Sequence, residues 1–540
     1  DSLGRETSRT TSTGEFRHVA YGVADRIGTM TDNTGTTSYE YDSAGRLSGI
    51  VYPHGGSVRY TRDKLDRTTD VKVKPSATAN EILTHYEYNE NGNLAEITDP
   101  TGGVTSFAYD DADRLEQRLL PNGVVTTYRY DERDRVLSVV HKNASNVVLA
   151  SVKYLRSQSG EPTRITREDG TYTVLDYDAA LRVKMEHEFD ANDVLVAQTA
   201  YEHDADGNRI AKATLTGTQT YSYAAGFKLT GITATSGGET FTHDAGGRLI
   251  RLDRDGSTKT LTYDSLDRIT HVSGGGIDET YEFDGMGRRV KITTAGFGSR
   301  KLLVAPNLGD GYESPQAATD NAGNLVAAFV YAGEHPIMKI GAGGTVEYLL
   351  ADSMGSVVGK ADAAGSRTAT IQYDAFGNVT AAVGASAGID PSVGFEHRFQ
   401  GMVLDSATGL YFVRARSYDG RTGRFVSRDP LGSRSIPESL GSYSFAHGNP
   451  MIWSDPTGHF SYSALAAASA GMTVLALTGL AQNGVNYIQR LGLATGRAAA
   501  NTSYGAGEDK TRSVHTDLGD FPIVDVNRAF QNDQGLRRLF

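Results

Sequence analysis

A nine-residue pattern recurs along most of this chain and limits what it can fold into. Tyr39-Glu-Tyr41-Asp42-Ser-Ala-Gly45-Arg46-Leu47 returns as Phe107-Ala-Tyr109-Asp110-Asp-Ala-Asp113-Arg114-Leu115 and as Tyr128-Arg-Tyr130-Asp131-Glu-Arg-Asp134-Arg135-Val136. Later copies begin Tyr201-Glu-His203-Asp204, Phe241-Thr-His243-Asp244, Tyr281-Glu-Phe283-Asp284 and Ile371-Gln-Tyr373-Asp374. Asp110 to Asp131 is 21 residues, and the steps from Asp244 to Asp264 and on to Asp284 are 20 each. That period is too short for a pair of helices and fits one β-hairpin per repeat.

Each unit carries its own physical logic. Thr126, Tyr128 and Tyr130 alternate, so they share one strand face, and the paired aromatics of every copy, such as Tyr39 and Tyr41, are predicted to point to the same side. Asp suits the first corner of a type I turn, and Gly in the fourth place tolerates the left-handed conformation that leads into the returning strand. A second turn, such as Asp99-Pro100-Thr101-Gly102 or Pro121-Asn122-Gly123, reverses the chain again. Tyr 28 against Trp 1 fits half-wet strand surfaces, since the phenol packs its ring and keeps its hydroxyl hydrogen-bonded. A stack of exposed hairpins explains any single copy. So many strands in one sheet, however, leave long edges and accumulate twist, and rolling the sheet into a hollow shell manages both. The fold class expected is therefore all-β, a spiralling hairpin shell.

Gly 62 with Cys 0 adds turns without disulfides, and a net charge of -12 from 65 acidic and 53 basic residues argues against a shell that binds nucleic acid. No HExxH or Cys/His ligand pattern, Walker loop or GxSxG elbow occurs, so no cofactor or metal site is expected.

The pattern resembles the YD repeats of Rhs proteins, of the C component of Tc toxins and of teneurins, in which hairpins spiral around a cavity. Asp1-Ser2-Leu3-Gly4-Arg5 matches the tail of a repeat, compare Asp264-Ser265-Leu266-Asp267-Arg268, which predicts that the chain starts within a longer reading frame; no secretory signal is read at that start. The resemblance becomes most specific from about residue 346. Tyr348-Leu-Leu-Ala-Asp352-Ser353-Met354-Gly355-Ser356 is similar to the family's Asp-His-Leu-Gly-Ser stretch, with Ser353 in place of His. Thr408-Gly409-Leu410-Tyr411, Arg414-Ala415-Arg416, Gly423-Arg424-Phe425, Asp429-Pro430-Leu431-Gly432, His447-Gly448-Asn449-Pro450 and Asp455-Pro456-Thr457-Gly458 follow in the order of the Rhs-associated core. Three segments are expected: a repeat shell over 1–345, a core over 346–459 and a variable region over 460–540.

In relatives with a releasable cargo this core is a self-cleaving aspartyl protease. The resemblance implies that Asp429 and Asp455 are the catalytic pair, that Arg416 belongs to the same site, and that the cut falls between His459 and Phe460. Two carboxylates held close together share a proton, so one can act as base on water and the other as acid. Asp-Pro-x-Gly is also an ordinary turn sequence, and Arg416 can pair with an Asp in a folded plug, so the residues alone leave both readings open. His459 stands where the family carries Leu, which bears on whether cleavage occurs.

After residue 459 the Tyr-Asp rhythm stops. Ala464 to Ala481 holds no charged residue but is only weakly hydrophobic for a membrane span, and Glu508, Asp509, Lys510, His515, Asp517 and Asp520 are scattered through the end of the chain. The expected function is a bacterial toxin shell, secreted or delivered at the cell surface, that encloses its own C-terminal effector. A delivery apparatus or N-terminal trafficking module and an immunity protein are the implied partners. The alternatives are an inert, uncleaved shell and an adhesion protein that binds carbohydrate through its Tyr-rich faces.

Overall fold

The structure is a computed structural model that describes residues 1–235, 237–309, 311–429 and 442–459, with the backbone of 462–463, 513–516 and 519–522. The chain divides into two units, Asp1–Met472 and Thr473–Phe540. In the second, Ser513–Thr516 pairs antiparallel with Gly519–Pro522. The rest of the tail, including the uncharged stretch from Ala464 to Ala481, lies outside the described residues. Among those residues no helix is long and apolar enough to cross a membrane, and no group of His, Asp and Glu is placed to hold a metal.

The first unit is built on one antiparallel sheet of 35 strands, from Ser8–Thr10 to Val379–Val383, in which strands consecutive in the chain pair with each other. The sheet is not closed, because its first and last strands do not pair. The spiralling hairpin sheet read from the repeat is what forms. It runs on past residue 346, and the five-stranded sheet of the closing segment begins at Phe395.

One repeat shows how the pattern works. Strand Gly35–Tyr41 pairs with Leu47–Val51, with the register shifted between Glu40 and Tyr41. In the turn between them the Gly45 N–H donates to the Asp42 carbonyl at 2.8 Å, and the Asp42 carboxylate accepts the N–H groups of Ala44 and Arg46 at 3.0 and 2.9 Å and the Arg46 Nε at 2.6 Å. Aspartate thus satisfies the corner's backbone donors and anchors the arginine that starts the next strand. Gly45 has φ +78°, as the left-handed fourth place requires.

In several copies that place holds Asp with φ between +59° and +70°, among them Asp66, Asp113, Asp134 and Asp267. Their side chains supply what glycine cannot. Asp66 accepts from Arg46 at 2.6 Å, Asp134 from Arg114 at 2.5 Å and Asp267 from Arg248 at 3.3 Å, each arginine coming from an earlier repeat, and Asp113 accepts from Asn91 and Asn93. The polar contact between repeats offsets the strain of a non-glycine residue at positive φ.

Where a tyrosine stands just before the Asp, it has a separate task. Its hydroxyl donates to a backbone carbonyl in an earlier hairpin: Tyr109 to Leu94 at 2.8 Å, Tyr130 to Leu115 at 2.8 Å, Tyr177 to Pro162 at 2.7 Å and Tyr263 to Leu249 at 2.8 Å. Two positions earlier the first aromatic lies on the same face and deeper: in strand Ile277–Phe283, Tyr281 is buried and Phe283 half-buried, with Glu282 exposed between them. Removing one hydroxyl costs about 1 kcal/mol, because a partly buried carbonyl loses its donor. Tyr109→Phe and Tyr263→Phe are therefore expected each to lower the denaturation midpoint slightly, and the double variant to show the sum, since the sites lie in separate repeats. Chemical denaturation of the three variants checks this.

The coil brings the first part of the sheet against its last strands. Tyr52, Tyr60 and Tyr86 donate to the carbonyls of Val304, Pro306 and Tyr331 at 2.8, 2.7 and 3.2 Å, and Ile50, Val58, Ile97 and Val124 share one buried cluster with Leu303, Val330, Met338 and Leu350. Burial of these apolar side chains, not the ladder alone, holds the coil.

The closing segment adds the strands Phe395–His397, Val403–Asp405, Tyr411–Val413, Arg416–Asp419 and Arg424–Phe425. Its aromatic centre is Tyr411, Tyr418, Phe425 and Phe445. Buried ion pairs fasten it to the shell: Asp419 to Arg254 at 2.7 Å, Asp405 to Arg289 at 2.8 Å, and Glu396 to both Lys339 and Lys360 at 3.1 Å. Such pairs fix position more than they stabilise, because each charge loses its water on burial.

Candidate catalytic carboxylate pair

Two Asp-Pro-x-Gly motifs begin at residues 26 apart in sequence, Asp429 and Asp455, and one arginine joins them. Strand Arg416–Asp419 opens directly after a tight turn at Arg414, whose φ is +49°. That turn hydrogen-bonds to the second motif through the Ala415 N–H and the Thr457 carbonyl at 3.2 Å. Gly458 passes so close that a Cβ there would collide with the Val413 carbonyl oxygen, and its φ is +76°, so glycine is required on both counts.

Arg416 is 5 % exposed and lies with its guanidinium 3.6 Å from the centre of the Phe425 ring. Its Nη2 is 3.2 Å from Asp429 Oδ2 and 3.4 Å from Asp455 Oδ2, while its Nε donates to the Gly458 carbonyl and its Nη1 to the Ser442 carbonyl at 3.2 Å. Burial pulls the guanidinium below the usual arginine range, and the two carboxylates act against that pull. Asp455, 2 % exposed, turns its other oxygen to its own loop: Oδ1 accepts the Gly458 and His459 N–H groups at 2.9 and 3.0 Å and the Thr457 hydroxyl at 3.1 Å. Asp429 is held through its N–H on the Ser442 carbonyl at 3.0 Å, and its Oδ1 lies 3.6 Å from Nδ1 of His459.

Asp429, Asp455, Arg416 and His459 therefore converge, with the carbonyl of residue 458 in the grip of the same arginine. Phe460 lies outside the described residues. Further on, Ser463 and Tyr462 pair with Trp453 and Ser454, so the chain on the far side of the expected cut runs back along the strand that leads into the second motif.

Two contributors escaped the sequence reading. Arg414 donates to the Pro456 carbonyl from one side of the loop and to the Glu313 carbonyl at 2.8 Å on the shell, so it ties the second motif to the sheet. Its signal was its spacing: two arginines flanking Ala415 invite the question of what each one holds, and here both grip the second motif's backbone. Phe425 was quoted only as part of a motif, yet its ring is the surface on which Arg416 rests.

Comparison with known proteins places this geometry in context. A family profile described as RHS Repeat matches residues 29–57 and 88–119, and one described as Teneurin YD-shell matches residues 322–451. The tRNA3(Ser)-specific nuclease WapA of Bacillus spizizenii is 29 % identical over 143 residues, which is 26 % of this chain and 6 % of that protein. The double-stranded DNA deaminase toxin A of Burkholderia cenocepacia is 34 % identical over 110 residues, 20 % of this chain and 7 % of that protein. The chain thus spans a small part of the length of these relatives. Among solved structures, the Tc holotoxin pore of Photorhabdus luminescens superposes with TM-score 0.52 at 17 % identity, over 85 % of this chain and 27 % of that one, a likeness of fold. A hairpin repeat matched by the RHS Repeat profile, a closing segment matched by the Teneurin YD-shell profile and a fold like that of a Tc toxin structure make this chain similar to the Rhs/YD-repeat proteins.

Proposed function

We propose that this chain is the shell and closing core of a delivered bacterial toxin, and that the core severs the polypeptide after His459 so that the shell can release it. Relatives named for different activities, a tRNA nuclease and a DNA deaminase, share part of their sequence with this chain, as expected where the shared part carries and the unshared part acts. The single observation behind the cleavage step is one buried nitrogen, Arg416 Nη2, within 3.4 Å of both Asp429 and Asp455, on an arginine that also binds the carbonyl next to the scissile residue.

The chemistry follows from the pair. With one proton between two carboxylates, the ionised one takes a proton from water as its oxygen attacks the His459 carbonyl carbon. The protonated one then gives its proton to the Phe460 nitrogen as the C–N bond breaks. One water is consumed, leaving a carboxyl group on His459 and an amine on Phe460. Arg416 holds the two carboxylates beside each other, and the buried site keeps bulk water from competing with the hydrogen bonds that hold the loop.

Intact-mass measurement of the purified chain, with sequencing of any new N-terminus, is the test. Two species are expected, the second beginning Phe460-Ser461-Tyr462-Ser463. A single species of full mass favours the inert shell instead. Delivery outside the producing cell, enclosure of the severed tail and a matching immunity protein are parts of the same proposal.

A further inference from the structure

We infer that Arg414 is a positioning residue for the cleavage, through which the shell holds the loop of the second motif in the register that presents the bond after His459. The inference rests on the cleavage reading above and gives a task in it to a residue outside the carboxylate pair. Three consecutive residues of the closing segment meet three consecutive carbonyls of that loop: Arg414 donates through Nη1 to Pro456, the Ala415 N–H donates to Thr457 at 3.2 Å, and Arg416 donates through Nε to Gly458. The carbonyl of His459 is next in line. All the acceptors are main-chain oxygens, so the contact fixes position along the chain, and a slip by one residue would put a different peptide bond beside the carboxylates.

What sets Arg414 apart is its hold on the shell. Its Nε donates to the Glu313 carbonyl at 2.8 Å and its Nη2 to the Ser314 hydroxyl oxygen at 3.2 Å, both at the start of strand Glu313–Thr319, and its guanidinium lies 4.9 Å from the centre of the Tyr312 ring. The coil in turn sets that strand: Asn307 donates to Ser314 Oγ at 3.3 Å, and Tyr60, in an early repeat, donates to the Pro306 carbonyl at 2.7 Å. A planar guanidinium fork can serve the loop and the strand at once, which an ammonium group cannot. The backbone gives a second, independent sign. Val413 pairs with Arg416, so Arg414 and Ala415 form a two-residue turn, and Arg414 sits there with φ +49°. Asn or Gly takes that conformation readily, and a long side chain takes it at a cost. Arginine at this corner is therefore explained by what its side chain holds and not by the turn.

The experiment follows cleavage of the whole chain, freshly translated, by denaturing electrophoresis. Arg414→Asn suits the turn and removes the bridge, so it is expected to slow the cut by about ten- to a hundred-fold. Thermal transitions are compared with Asp429→Asn added, so that every form stays whole, and Arg414→Asn should lower the midpoint there by no more than about 2 °C. Arg414→Lys keeps the charge and loses the fork, and it should be slow as well. Ser314→Ala tests the shell side: it should slow the otherwise native chain about three-fold and add nothing to Arg414→Asn, because both changes break one path. The inference is overturned if Arg414→Asn cuts within about three-fold of the native rate, if its slowing comes with a larger fall in the midpoint, if Arg414→Lys cuts at the native rate, or if Ser314→Ala slows both backgrounds alike; cleavage itself then stands. If the unmutated chain is never cut, the cleavage reading falls, and this inference with it.

Discussion

Asp455→Asn is expected to leave the chain in one piece, with Asp429→Asn doing the same, and the loss of rate should exceed about a thousand-fold in each. An amide cannot take a proton from water or hand one to the leaving nitrogen, so either change removes half of the acid and base work. The distinction from simple unfolding can be drawn in advance. In Asp455→Asn the amide oxygen can still accept the N–H groups of Gly458 and His459, which the native Oδ1 accepts at 2.9 and 3.0 Å, so the loop geometry should survive. Asp429→Asn leaves the backbone bond to Ser442 in place, and Arg416 keeps one carboxylate partner in either variant. A normal thermal transition together with a single band on a denaturing gel is therefore the expected pair of results. Cleavage that persists in either variant at more than about a tenth of the native rate would remove the two aspartates from the reaction. The shell, which rests on the repeats, would be untouched.

The two levels of this protein were unequally legible in its sequence. The hairpins were legible because each is decided within about ten residues: Asp42, Gly45 and Arg46 contact one another in one turn, and alternation fixes which face Tyr39 and Tyr41 share. The contact of Arg114 with Asp134 was not read, since an aspartate in the glycine place looks like a defect until the neighbouring repeat is laid beside it. The carboxylate pair was legible only through the family's motifs. Nothing local in Asp-Pro-x-Gly separates a catalytic loop from a turn, and the bridge through Arg416 depends on how three segments pack. The contacts that close the coil were beyond sequence reasoning altogether. Glu186 and Asp374 are 188 residues apart and meet only because of the pitch of the whole sheet.

That last meeting carries the largest expected effect on stability. Glu186, on strand Val183–Phe189, accepts the Tyr201 hydroxyl at 2.5 Å and the Ala375 N–H at 2.9 Å, beside the carboxylate of Asp374 in the turn at 374–378. Both acids are buried, and Lys212 comes within 3.8 Å of Asp374. Burial first, and the neighbouring Asp374 second, push the Glu186 carboxyl up from the ordinary 4.5 to about 7, and burial raises Asp374 as well. Between those two values the folded chain holds a proton that the unfolded chain has released. The contribution to stability is therefore fully present below about pH 4.5 and is lost as pH rises through 7. The gap corresponds to about 3 kcal/mol. Glu186→Gln should abolish this dependence, since an amide can accept from Ala375 and meet the Tyr201 oxygen with its NH2 without carrying charge. At pH 8.5 the variant is expected to be more stable than the native chain by about 3 kcal/mol, and at pH 5 to differ little. Hydrogen exchange across 183–189 and 374–378, corrected for the intrinsic effect of pH, reads this opening locally even if the whole sheet does not unfold in one step. Equal protection of the two forms at pH 8.5 would mean that the pair is not strained at that pH. Loss of protection in the variant at both pH values would mean that the amide fails to replace the native hydrogen bonds. The expected result has a structural consequence: this seam, where strand Val183–Phe189 meets the turn at 374–378, is held more tightly in mild acid and loosens as the surroundings turn alkaline.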